Sequence, residues 1–406
     1  MRYLKGINSV YYIILVLGLF GTMTNYIYLS PIPSLIAPVL SIIIIIFNYK
    51  KLPKFVFYLG LFFLYNIIST LIYHPRSFLD FSYYRYDANF FISYFPLIIA
   101  PFIKKDFNLE KLLVRFLLVV SFSSLIAYLF FSNSGFPGFF LAHNAAGGFF
   151  SITLSLSISL FYYRRNWFNL ILVFVNVFLL IETFSRGSIM GVVLGFFCVF
   201  LWKKRKTRYI LFLFMLLLLV QSLILVKTYP IYKQYDFSNS ENFYEYIHKK
   251  EGVISGRKMN IYLRAYYEWP RGIECFFSSP VLGMGTGVVN DTPYKIKTIV
   301  PHLLSVNEQK NKQFNSGHAH HSLFHILGEN GLIGTLIFIL FYMYMYKYIK
   351  VKGVIFPNVQ LFLIYAFFNL LIMSFSEHRI TTPSNVLPFT IILSLFIIKI
   401  NATQTT

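Results

Sequence analysis

Twelve apolar runs of membrane-crossing length recur along the chain, and they constrain its fold more than any other feature. They lie near residues 8–29, 32–48, 54–73, 88–103, 112–131, 144–163, 167–183, 187–202, 209–226, 322–346, 356–375 and 384–400. A helix that crosses a bilayer needs roughly 20 mainly apolar residues. Lipid cannot satisfy backbone N–H and C=O groups, so each crossing segment has to bond internally as a helix. The segments between the runs are short, except from 227 to 321. The expected fold is therefore an all-α polytopic membrane protein of about 12 transmembrane helices, with a large helical extracytoplasmic loop between spans 9 and 10. The chain divides into 1–226, 227–321 and 322–406.

Composition agrees. Charged residues make up 13% of the chain, about half the share of a soluble domain, and the mean hydropathy is +0.62. So few charges cannot coat a water-soluble surface of this size. The net charge of +21 sits in short clusters between apolar runs and not on one basic face, which argues against nucleic acid as a partner and for membrane lipids. Cys198 and Cys275 are too few for a disulfide framework and are expected to be unbridged. Arg2 and Lys5 precede a first run too long for a signal-peptide core, so no cleaved leader is expected.

The basic clusters orient the spans. With the N-terminus in the cytoplasm, the inner segments carry 20 Lys and Arg. The short outer ones carry only Arg76, Arg85, Arg186 and Arg379. Cytoplasmic loops hold the excess of Lys and Arg, a rule that applies to short loops and gives the 227–321 segment no vote. Both termini are then cytoplasmic. Arg186, the long loop, the histidines near 320 and Arg379 lie outside, away from any nucleotide pool.

Three polar groups on that outer side could carry chemistry. Thr183-Phe184-Ser185-Arg186-Gly187 places an arginine at a span boundary. It either snorkels to headgroups or serves function, since the positive-inside rule disfavours it there. In the loop, Arg257, Arg264 and Arg271 recur every seven residues among tyrosines and would share one helix face. That stripe suits either anionic headgroups or a diphosphate, which a guanidinium fork grips well. Pro270 is expected to break or kink this helix. The third group is Gly317 to Gly334, GHAHHSLFHILGENGLIG, with His318, His320, His321 and His325. A metal cluster, a structural role and a neutral imidazole acting as general base are all open readings.

In this order, FSRG, an Arg-rich loop helix running into PVLGMG, and a His-rich motif closing with ENGLIG resemble the O-antigen ligase/polymerase superfamily. The resemblance spans Glu182 to Gly334. It implies glycan transfer from an undecaprenyl-diphosphate carrier, with inversion and without cofactor or metal. The acceptor would be a lipid A-core sugar in a ligase, or a second lipid-linked glycan in a polymerase. Arg186 would contact the diphosphate, and the loop arginine would be Arg264 or Arg257. His320 would be the essential histidine. His318 gives the His-x-His pattern of the ligases, and His321 stands where many members have Asn. Asn144, in Ala142-His143-Asn144, matches a recurring position, and Arg379 is a further supporting candidate. The implied place is the bacterial inner membrane with a periplasmic active site, alongside chain-length regulators and other polysaccharide assembly proteins. A lipid-linked oligosaccharide flippase is the rival of another class, but it would place ionisable groups near the midplane and show repeated halves. A non-catalytic scaffold is a third reading.

Overall fold

The computed structural model describes residues 2–24, 31–81, 83–131, 135–140, 142–235, 240–252, 256–289 and 319–404. Every regular element among them is helical. In chain order the α-helices are α1 (Arg2–Gly21), α2 (Pro31–Asn48), α3 (Lys54–Tyr73), α4 (Phe90–Ile99), α5 (Leu109–Phe131), α6 (His143–Tyr163), α7 (Trp167–Glu182), α8 (Arg186–Lys203) and α9 (Thr207–Gln234). The loop helices α10 (Ser240–Glu251), α11 (Gly256–Leu263) and α12 (Trp269–Ser278) follow, then α13 (Ser322–Lys352), α14 (Pro357–Met373) and α15 (Pro383–Thr403).

Seven of these, α3, α5, α6, α8, α9, α13 and α15, are long and apolar enough to cross a membrane. The five others outside the loop, α1, α2, α4, α7 and α14, are shorter apolar helices. Each of the twelve apolar runs coincides with one of them, and the chain is a multi-pass helical membrane protein. That all twelve cross is the expectation of the sequence. α4 is the shortest, at 10 residues.

Burial sorts the helices into centre and periphery. An apolar face meets either lipid or protein in a bilayer, and α14 and α15 are buried along nearly their whole length. α6 packs against α7, α14 and α15, and α14 against α8. In lipid there is little hydrophobic force between helices, so polar pairs and close backbones hold them together. Asn369 on α14 donates to Ser151 O (3.1 Å) and Ser155 Oγ (3.2 Å) on α6. Asn176 on α7 joins Thr153 on α6 (2.7 Å) and Ser121 on α5 (2.9 Å). α9 is the opposite case, with only 6% of its apolar window buried. Leu211, Phe212, Leu219 and Leu223 point outward, as suits a helix bathed in lipid. Its 28 residues make about 42 Å, longer than a bilayer core of about 30 Å. The helix continues past residue 226, and its last turns dock on the loop, where Tyr229 and Lys233 hold Glu274 at 2.5 and 2.6 Å.

Two of the sequence motifs lock together. The turn after α12 lies against a break inside α13, where Gly331 has φ 56° and ψ −162°, a region open to glycine alone. Leu332 N donates to Pro280 O (2.8 Å) and Ile333 N to Val281 O (3.2 Å). In return Gly285 N donates to Glu329 O (2.8 Å), and Gly287 N reaches Glu329 Oε1 (2.5 Å). A Cβ on Gly331 would stand 2.4 Å from Gly283 N. PVLGMG and ENGLIG are thus a structural clasp that fixes the loop to α13. Gly331→Ala should cost about 1–3 kcal/mol from overpacking plus about 1–3 kcal/mol of backbone strain. Expression and thermal unfolding in detergent would show it as a fall in folded yield and Tm.

Candidate functional site

Five segments meet at one end of the bundle: the starts of α6 and α8, residues Arg264–Glu268, the entry to α13, and the connection from α14 to α15. Ser322 ties the last two together. Its N–H donates to Ser374 O (2.9 Å), and its hydroxyl donates to Glu377 O (3.2 Å) and accepts from Arg379 N (2.9 Å).

The loop enters α13 through a strained turn. His320 has φ 46°, a left-handed conformation that costs a non-glycine residue roughly 1–2 kcal/mol. The turn sends adjacent imidazoles to different partners. His321 caps α13, accepting from Phe324 N at Nδ1 (3.2 Å). Its Nε2 therefore carries the proton and donates to Gln221 Oε1 on α9 (2.8 Å). Burial pushes its pKa down to about 3, so it stays neutral. Gln221 completes the link by donating to Phe375 O (2.6 Å).

His320 instead faces carboxylates. Its Nδ1 lies 2.6 Å from Glu377 Oε2, and its Nε2 lies 3.6 Å from Glu268 Oε1. Glu377 is gripped by Arg264, whose Nη2 is 2.5 Å from Oε1 and whose Nη1 donates to Ser376 O (3.0 Å). The order Arg264–Glu377–His320 is that of a base held by a carboxylate, which is itself held by a guanidinium. Burial opposes the His320 imidazolium, but the Glu268 and Glu377 carboxylates outweigh it and raise its pKa above the usual histidine range. Burial alone would raise Glu377 as well. His320, Arg264 and Arg379 hold its carboxyl well below the ordinary value. Glu268, wholly buried, is pushed up by that burial against the pull of His320 and the nearby arginines.

Arg264 and Glu268, four residues apart and so neighbours on one helix face, bound a π-turn, Arg264–Glu268, that runs into α12. Pro270 was expected to break or kink the helix. The regular α-helix does give way just before it: Trp269 N bonds to Arg264 O, five residues back, and α-helical bonding resumes with the proline in the first turn of α12. The arginine stripe does not act as one face. Arg271 is buried, donating to Val289 O (2.7 Å) and Tyr267 OH (3.3 Å). Arg257 belongs to α11, but its side chain lies outside the described residues, as does His318.

Arg186 is exposed at the start of α8. The next residue, Gly187, abuts the site, and a Cβ there would stand 2.4 Å from Ser376 Oγ and 3.6 Å from Glu377 Cγ. Arg379 is buried and donates to Asn144 O (2.7 Å) and Asn385 Oδ1 (3.0 Å). Asn144 thus meets the site through its backbone. Gly148 makes room for this approach, since a Cβ would collide with Asn385 Oδ1. Among the described residues no group of three or more His, Cys, Asp or Glu is placed to hold a metal ion.

Glu377, Glu268, Ser322 and Gln221 were not singled out from sequence. Glu377 did carry a signal: the chain has only 15 acidic residues, and this one lies between two spans, two positions from Arg379. From the site an apolar cleft of about 610 Å³ extends along α9, α13 and α14, from His321, Ser374 and Phe375 at one end to Thr207 and Lys350 at the other.

Among curated proteins no match to the chain was found. A family model described as O-Antigen ligase matches residues 169–339, a stretch that includes Arg186, Arg264, Glu268 and His320 but ends before Glu377. Over residues 169–339 the chain is similar to the O-antigen ligase family.

Proposed function

We propose that this protein transfers a glycan from undecaprenyl diphosphate to a lipid A-core sugar on the periplasmic face of the bacterial inner membrane, with His320 as the general base. The observation that carries the reading is the Arg264–Glu377–His320 alignment at the end of an apolar cleft. The acceptor hydroxyl oxygen attacks the anomeric carbon, and the bond from that carbon to the phosphate oxygen breaks. Undecaprenyl diphosphate leaves, and the hydroxyl proton passes to His320. Direct displacement inverts the anomeric centre. With Nδ1 donating to Glu377, Nε2 is the nitrogen that takes the proton. A positioned base of this kind contributes about 10²–10⁴-fold.

Positive potential for the diphosphate has two sources at one place. Arg186 supplies a guanidinium, and it starts an 18-residue helix whose N-terminus favours anions. The family similarity implies a lipid-linked substrate, and the cleft along α9, α13 and α14 suits its isoprenoid tail. Arg264 has its carboxylate partner already, so its work here is to hold Glu377 and add to the cationic field. Arg257 remains the alternative loop arginine for the diphosphate, His318 is a supporting residue, and Arg379 and Asn144 shape the wall. Arg186→Ala should lower the rate at subsaturating donor by about 10²–10³-fold, with Arg186→Lys only partly restoring it. Steady-state kinetics at varied donor concentration would show this.

Surface polysaccharide banding in cells lacking the protein tests the reading. A ligase leaves finished polymer on the carrier and none on lipid A-core. A polymerase of the same superfamily leaves single repeat units on the core. If purified protein moves lipid-linked glycan between leaflets and forms no new glycosidic bond, the flippase reading replaces both.

A further inference from the structure

A second cavity, polar where the first is apolar, adjoins the same connection between α14 and α15. It encloses about 120 Å³, room for several waters at roughly 10–15 Å³ each, and so for one sugar ring and not a chain. Asn66 of α3, Asp87, His325, Glu329 and Asn330 of α13, and His378 line it. His378 follows Glu377 directly, and Ile326 lines both this cavity and the apolar cleft. The start of α13 therefore stands between the two spaces, with His320 at its entry.

The wall is organised for hydroxyl groups. Asn330 is 2% exposed, and its Oδ1 has no hydrogen-bond partner among the described residues. That oxygen is closed to solvent, so Asn330 borders the cavity without offering it an open acceptor. Asp87 and Glu329 add carboxylates, and Thr381 and Thr382 add hydroxyls. Tyr86 lines the mouth, half exposed, and offers a ring on which a sugar's apolar face can lie. Among the described residues no Lys or Arg lines the cavity. Arg85 lies over the Tyr86 ring, 5.1 Å from its centroid. Two carboxylates without a lining cation among the described residues reject an anionic ligand. His325 and His378, both in its wall, have ring centroids 3.7 Å apart with their planes tilted by 35°.

We propose that this cavity is the acceptor subsite, holding one sugar ring that bears no acidic group. The inference rests on the glycosyl-transfer reading above and gives it a substrate class. The donor side is cationic and apolar, the acceptor side is polar and acidic, and the attacking hydroxyl comes to His320 from the latter.

The test uses the full chain in detergent and saturation-transfer NMR with methyl glucoside, methyl glucuronide and glucose 6-phosphate. Methyl glucoside should receive signal, and the two anionic sugars about tenfold less or none. Asp87→Asn and Tyr86→Ala should each weaken that signal. In transfer assays each should raise acceptor KM about tenfold, the equivalent of one lost hydrogen bond, while donor KM stays within about twofold. Tyr86 is exposed, so its variant folds even where Asp87→Asn does not. Equal binding of the anionic sugars, or variants with unchanged acceptor KM and glycoside signal, would overturn the proposal. If the variants abolish glycoside binding but wild type transfers no glycan, the subsite stands and the transfer reading falls.

Discussion

His320→Ala should lower the rate of glycan transfer by about 10²–10⁴-fold while donor binding and expression stay near wild type. The imidazole is the only group whose Nδ1 is fixed by a buried carboxylate at 2.6 Å among the residues described at this site. Removing it leaves the acceptor proton without a destination, but it does not touch the start of α8, where the diphosphate is proposed to sit. The neighbouring histidine gives the control. His321 caps α13 and bonds Gln221, so His321→Ala should lower stability and folded yield more than it lowers the rate per folded molecule. A substitution series that reversed these effects would exchange the roles of the two residues.

The second large effect is expected at Glu377. Glu377→Ala leaves Arg264 without its carboxylate and His320 without its anchor. Breaking a buried ion pair costs about 3–5 kcal/mol, and somewhat less here because 26% of the Arg264 side chain is exposed. Folded yield should fall, and transfer should fall further. Glu377→Gln keeps the shape and separates the charge. A base works only when deprotonated, so the rate rises as pH passes upward through the pKa of His320. Because Glu268 and Glu377 raise that pKa against the effect of burial, the acid limb of wild type should lie above the usual histidine value of about 6.5. Glu377→Gln removes one of the two carboxylates, so its acid limb should move to lower pH while the plateau rate drops. A merely structural Glu377 would lower the plateau and leave the limb in place. The pH profile of kcat/KM for wild type and Glu377→Gln decides between them.

The helices were legible because a crossing helix needs about 20 mainly apolar residues; each apolar run meets an apolar helix, seven of them of crossing length and five shorter. Arg264 and His320 were legible because each sits in a motif whose residue types suit anion binding or proton transfer. Glu377 was not, since its partners His320 and Arg264 lie 57 and 113 residues away, and no local pattern marks a tertiary ion pair. Gln221 stood out only as one polar residue in a long apolar run. Its role as a bracket between α9 and His321 depends on a contact across 100 residues. Pro270 marks an interruption in the sequence, but that the interruption takes the form of a π-turn at Arg264–Glu268 was hidden, because no residue pattern separates a wider turn from a break. Gly331 shows how a motif can be read while its work is not: ENGLIG was recognisable, but that it clasps PVLGMG required the fold.

The most direct measurement is transfer by the purified chain, wild type and His320→Ala, given an undecaprenyl-diphosphate-linked glycan and lipid A-core in detergent with no nucleotide and no added metal. The account predicts a new glycosidic bond and free undecaprenyl diphosphate with wild type, and at least about a hundredfold less of both with a folded His320→Ala protein. Equal product from the two proteins, or none from either, would contradict it.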